Sequence, residues 1–303
     1  MTAPPVTRSG NIYDLGYRRY EGPRLGRAHA VRSLVVHSFR TTFGLGRSGR
    51  AKVAPITFGA IAVLPAVLIV GVLAIVARLG AERQLDSFGL VGFSTYFGSI
   101  SAIIALFCAA QAPELFGRDQ RHGVLSLYFA RALRRSDYAL GRLFGFWLAL
   151  FCLLVLPMAI LFLGRVLLST DVVAAFGTNL PSVGPVVAQA AATAGVLGGM
   201  AMAVSAYTPR RSYATAGIIA LFVLPGLIAG IVIELGSGTI GTLLVLFSPN
   251  TILDGTNALF FGLDADAGFT FFDLPLWTFL ASAVAAIVLF VVLILRRFVR
   301  IAT

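Results

Sequence analysis

The sequence predicts an all-α integral membrane protein with six transmembrane helices and both termini cytoplasmic. Three observations carry that prediction. Hydrophobic residues make up 58% of the 303-residue chain and charged ones only 12%, whereas a soluble domain is about one-quarter charged. Six apolar stretches, at about 55–77, 90–112, 143–164, 184–207, 213–233 and 275–295, each reach the roughly 20 residues needed to cross about 30 Å of hydrocarbon. Charge is also divided unevenly between the connections. Residues 1–54, 113–142, 208–212 and the C-terminal tail hold 21 Lys and Arg against five acids, and the remainder holds three against eight. Basic loops stay inside, so both ends and the 113–142 loop belong to the cytoplasm of a multi-pass cell-membrane protein.

Residues 1–54 read as a cytoplasmic N-terminal tail, and 55–303 as the six-span domain. The first 25 residues are rich in Gly, Pro and Arg and predict extended chain. From Arg27 to Phe43, apolar Val31, Leu34, Val35, Phe39 and Phe43 recur at helical spacing among Arg32, His37 and Arg40. That pattern predicts an amphipathic helix lying along the inner membrane surface. No apolar leader core precedes the first span, which is expected to serve as the insertion signal.

Pro65, Pro157 and Pro225 fall within spans one, three and five and predict kinks. The second span carries Ser94, Thr95, Tyr96, Ser99 and Ser101; of these, Ser94, Thr95, Ser99 and Ser101 are candidates for lining a path. The alternative is that such side chains bond their own backbone. The fourth span is dense in Ala and Gly, which predicts close packing on several sides. Thr208 to Ser212 then forces a tight hairpin into span five. Residues 236–274 are broken by Ser248-Pro249-Asn250 and predict one or two short outer helices.

Little in the chain points to chemistry of its own. His29, His37 and His122 are scattered on the cytoplasmic side, and no metal-binding or catalytic spacing occurs. The segment GLGRSGRA (Gly44 to Ala51) lacks the Lys and Ser/Thr of a phosphate-binding loop. Cys108 and Cys152 lie inside spans and read as small buried hydrophobes. The pI near 10.6 reflects juxtamembrane charge that touches anionic lipid, not a nucleic-acid site. Arg78, Arg165 and Glu234 sit at outer span ends, so mid-membrane holds no ion or proton relay. A driving force is therefore expected from another polypeptide.

The polar loop from Pro113 to Arg142 is the place for it to act. Leu115, Phe116, Val124, Leu125, Leu127, Tyr128 and Phe129 are apolar knobs among Arg118, Asp119, Arg121 and His122. A short helix, a turn at Gly123 and a second helix would suit a groove on a cytoplasmic partner. Ser136-Asp137 is the expected N-cap of the third span. A solvated loop that only sets topology is the alternative.

The run ELFGRDQRHGVLSLYFARALRRSDYALGRL resembles the cytoplasmic signature of type-2 ATP-binding-cassette (ABC) permeases. It departs from the usual residues at Arg121, Val124 and Ala132. The resemblance implies a membrane subunit, of exporter type, with a coupling helix between spans two and three. Glu114, Arg118, Asp119, His122, Gly123, Leu125 and Leu127 match the element that contacts the ATPase. The implied partners are a pair of cytoplasmic ATP-binding subunits and a second permease subunit, with ATP and Mg on the ATPase and no cofactor on this chain. A channel or ion-coupled carrier working alone is the rival reading, and an intramembrane enzyme a weaker one.

Overall fold

The computed structural model describes residues 22, 25–79, 92–130, 133–236, 238–263 and 274–300. Helix accounts for 87% of the structure, with no strand among the described residues, so backbone polar groups are satisfied within segments, as hydrocarbon requires. Six stretches are long and apolar enough to cross a membrane: Gly49–Arg78, Phe93–Arg121, Arg135–Leu168, Val172–Tyr207, Arg211–Glu234 and Trp277–Val299. The chain is a multi-pass membrane protein by this measure.

In order, the helices are α1 (Gly26–Thr42), α2 (Gly49–Leu79), α3 (Phe93–Ala112), α4 (Arg118–Arg121), α5 (Leu125–Phe129), α6 (Arg135–Leu168), α7 (Val172–Asn179), α8 (Val183–Tyr207), α9 (Arg211–Glu234), α10 (Gly238–Val245), α11 (Pro249–Phe261) and α12 (Trp277–Val299). A π-helical turn, Pro113–Gly117, joins α3 to α4. Several helices outrun their apolar stretches. α2 begins at Gly49, ahead of the 54/55 division expected from composition, and α6 begins at Arg135 rather than near 143. Hydropathy marks the hydrocarbon edge, but Arg and Lys are good helix formers and carry the helix on into water.

α8 is the centre of the bundle. Its small residues are buried nearly end to end, and larger side chains fill the space they leave. Ile287 sits over Gly195, Trp147 and Leu150 over Gly198, and Phe290 over Gly199. α2, α9 and α12 stand at the perimeter with most of their apolar surface uncovered. Cys108 is buried as expected, but Cys152 is exposed, because it lies on the side of α6 turned away from the bundle.

Two inter-helix bonds lie at or beside prolines. Pro113 has no N–H for the Ala109 carbonyl one turn back, and the Thr215 hydroxyl of α9 donates to that carbonyl instead, at 2.9 Å. Beside Pro65, the Tyr96 hydroxyl enters the ladder of α2, donating to the Ala62 carbonyl and accepting from the Ala66 N–H. Tyr96 is thus a buried brace between α2 and α3.

α1 forms where its pattern predicts, and it packs on the bundle. Leu34, Ser38, Thr41 and Thr42 are its buried residues, laid against Gly141 and Gly145 of α6. A Cβ on Gly145 would lie 2.5 Å from the Ser38 Cβ and 2.7 Å from the Val35 carbonyl oxygen, so the close approach demands glycine. The N-cap of α6 is Arg134, not Ser136. Asp137 acts from the third helical position and accepts from the Arg134 N–H at 3.0 Å.

At the far end of the bundle lies one helix absent from the expectations. α7 is capped by Asp171, which accepts from Val173 and Ala174 N–H groups at 3.1 and 3.0 Å. The break at Ser248 separates α10 from α11, with the Ser248 hydroxyl accepting from the Thr251 N–H. The N-terminal tail up to Glu21, Ala132, and the acids Glu82, Asp86, Asp264, Asp266 and Asp273 of the charge argument lie outside the described residues.

Candidate functional site: a charged node between the second and third spans

The chain from Pro113 to Phe129 touches nearly every other part of the bundle. It begins with the π-helical turn, whose five residues are all buried. Leu115 and Phe116, expected as docking knobs, are packed inside the chain itself. The Phe116 ring stacks at 4.6 Å on Phe298 of α12 and at 5.9 Å on Tyr138 of α6.

Glu114 forms the first ionic junction. One carboxylate oxygen accepts from Arg47, just ahead of α2, at 2.7 Å, and the other from Arg211, at the start of α9, at 3.0 Å. One side chain thereby joins the start of α2, the end of α3 and the start of α9 at one end of the bundle. Asp119 forms the second junction. Its Oδ2 accepts from the Tyr138 hydroxyl at 2.7 Å and from the Arg142 guanidinium, both on α6. Arg142 donates further to the Tyr128 hydroxyl at 2.9 Å and to Ser38 of α1 at 3.4 Å. Gln120 reaches the Ala206 carbonyl of α8 at 3.1 Å. A buried charge persists only when paired and hydrogen-bonded, and both carboxylates meet that condition.

The remaining residues of the element face outward. After α4, the chain reverses at Gly123, whose φ of +64° lies where glycine is favoured. Arg118, His122, Gly123 and Leu127 are exposed, with Leu127 at 68%, while Glu114, Asp119 and Leu125 are buried. The matched residues therefore divide into an inner set that ties helices together and an outer set that presents a surface.

Beside this surface lies a cleft of about 890 Å³ between α1 and the 113–128 segment. His29, His37 and His122, scattered in sequence, all line it, together with Arg32, Arg40, Arg47 and Arg118. Among the described residues, the acids on its wall are Glu114 and Asp119, already engaged with arginines, so this lining carries excess positive charge. Burial, and next the Arg142 charge, hold the His37 imidazole below its ordinary pKa. Among the described residues no three His, Cys, Asp or Glu side chains gather closely enough to hold a metal.

The candidate path residues occupy α3 at the other end. Thr95 and Ser99 are exposed, Ser94 and Ser101 half-buried. With Gly98, Ala102 and Leu106 they form one uncovered stripe beside α9. Ser99 bonds its own helix, to the Tyr96 carbonyl at 2.8 Å, as the alternative reading held. Ser101 also donates to Asn250 of α11 at 3.4 Å, Asn250 donates to Asp254 at 3.3 Å, and Asn257 donates to the Ser94 carbonyl at 2.9 Å.

Sequence reasoning missed this second polar group and the brace role of Arg142. A signal existed for the first: Asn250, Asp254 and Asn257 recur at i, i+4 and i+7 within an apolar stretch, which is one helical face. Burial pushes the Asp254 carboxyl up to about 6. No protein-family model and no curated protein matches the chain.

Proposed function

We propose that the chain is the membrane-spanning permease subunit of a type-2 ABC transporter, of exporter type, driven by a separate ATPase through the 113–142 element. The observation that carries this reading is the node. A segment joined by ion pairs and hydrogen bonds to the turn ahead of α2 and to α6, α8 and α9, through Arg142 to α1, and by ring stacking to α12, converts a push on its outer face into movement of the whole bundle. Packed cores and paired charges shift as units, not by continuous deformation. Arg118, His122, Gly123 and Leu127 form the face on which the ATPase pushes. Glu114, Asp119 and Leu125 transmit that push inward.

In this reading the node, both termini and α1 lie on the cytoplasmic side of the cell membrane, where the excess of Arg favours them. α1 runs along the inner surface while its Leu34 face grips α6. α7, α10 and α11 lie outside. The uncovered stripe of α3, with α9 beside it, faces a second permease subunit, and the path opens between the two subunits. ATP and Mg act on the ATPase.

The test uses a cysteine at Leu127 in a chain otherwise free of cysteine, with a short crosslinker in native membranes. The expected product joins this chain to a protein that binds and hydrolyses ATP, and transport stops when that protein's hydrolysis is blocked. Transport that continues in the purified chain under an ion gradient alone would sink the proposal.

One observation favours the rival ion-coupled carrier. Asp254 is a half-buried carboxyl, bonded through Asn250 to the polar face of α3, and such groups serve proton relays. Gradient-driven uptake abolished by D254N in vesicles containing only this chain is the outcome that reading requires.

A further inference from the structure

Arg296, Arg297 and Arg300 close the last turns of α12 around a recess of about 210 Å³, whose wall is completed by Leu293 and by Tyr207 at the end of α8. Arg297 is fixed in place: its Nε donates to the Ala206 carbonyl at 3.3 Å and its guanidinium lies 5.7 Å over the Tyr207 ring. Arg296 and Arg300 are exposed, and neither forms an ion pair among the described residues. The described carboxylates at this end of the bundle are already taken. Glu114 is held by Arg47 and Arg211, Asp119 by Arg142, and Asp137 by Arg27. Three guanidinium groups thus converge on a concave site with no free acid among the described residues to meet them.

Below the recess runs an apolar track. Val284, Val288 and Val292 are exposed and precede Arg296 in steps of four residues, so they follow one ridge of α12 that turns about 40° at each step. Trp277, exposed at the other end of the helix, sits about 29 Å from Arg296 at roughly 1.5 Å per residue. That separation matches the hydrocarbon thickness of about 30 Å, with an aromatic anchor at one boundary and arginine at the other. Complementing the α12 dipole explains arginines near its C-terminus. It explains neither the recess nor a valine ridge that leads up to Arg296.

We propose that this recess binds the phosphate of an anionic phospholipid, whose acyl chain lies along Val292, Val288 and Val284. The site lies at the ends of α8 and α12, with α12 at the perimeter of the bundle, and shares no residue with the α3 and α9 surface assigned to the second permease subunit. It depends neither on ATPase coupling nor on the transported molecule.

The full chain in detergent is titrated with phosphatidylglycerol or phosphatidylcholine, and bound lipid is counted by native mass spectrometry. Phosphatidylglycerol should be retained in preference. R296Q/R300Q should lose that preference roughly thirtyfold, each surface arginine contributing a factor of about five. R78Q, at the opposite end of the bundle, should keep it. Equal retention of the two lipids, or an unchanged preference in R296Q/R300Q, overturns the proposal. So does displacement of the lipid by inorganic phosphate, which would assign the recess to a free anion. A second measurement needs no variant: phosphatidylglycerol with a photoreactive acyl chain should label Val284, Val288 or Val292 selectively. Even labelling of all six spans overturns the site.

Discussion

Arg142 is 2% exposed, yet it carries a full charge held by Asp119, Tyr128 and Ser38. Removing one member of such a pair leaves the other buried and uncompensated, which costs about 3–5 kcal/mol. R142L should therefore lower the melting temperature of the detergent-solubilised chain sharply, and R142L/D119L should recover part of the loss. An unchanged melting point in R142L would show the pair to be dispensable. Asp254 makes a prediction in pH. Its folded pKa, about 6, stands above the ordinary 3.8, so between those values the folded chain holds a proton that the unfolded chain has released. The stabilisation is complete below about pH 4 and is lost as pH rises through about 6. His37 slopes the other way, losing stability as pH falls below about 6.5. Both act in the native chain, so comparison with D254N isolates Asp254: the native melting temperature should fall relative to that of D254N as pH climbs from 4 to 7. At this scale the sequence was least legible. Arg142 reads as one of many loop arginines, and only the fold brings Asp119 to it.

Helices were more legible than their partners. The apolar spacing of α1, the turn at Gly123 and the break at Ser248 each follow from local backbone chemistry and appear where expected. Which face of α1 is covered did not follow from spacing alone. Val31, Leu34, Val35, Phe39 and Phe43 are all apolar, but only Leu34 of these is buried, in company with Ser38, Thr41 and Thr42. Two glycines on α6 decide it, by letting the backbone of α1 approach. G145A should prise the helices apart at a cost of about 1–3 kcal/mol, because its Cβ would meet the Val35 backbone as well as a side chain. Limited proteolysis should then cut α1 from a bundle that remains membrane-embedded. Unaltered protection of α1 would show that the seam can relax.

Across the whole molecule, the six crossings bring the 113–129 segment, the start of α1 and the end of α12 to one end of the bundle. The test is accessibility. A cysteine at Leu127, 68% exposed, should react with an impermeant thiol reagent only in inside-out vesicles, and one at Val173, 82% exposed, only in right-side-out vesicles. The same side for both would overturn the crossing order. Hydropathy, Pro and Gly determined by themselves that the chain carries six helices long and apolar enough to cross a membrane, since transfer of apolar surface and backbone geometry are local, additive properties. Only the tertiary structure decided that Glu114 joins Arg47 to Arg211, that Thr215 satisfies the carbonyl freed by Pro113, and that the arginines closing α12 meet Tyr207 of α8 around a recess. Those are meetings of residues far apart in the chain, and composition carries no record of which groups become neighbours once helices pack.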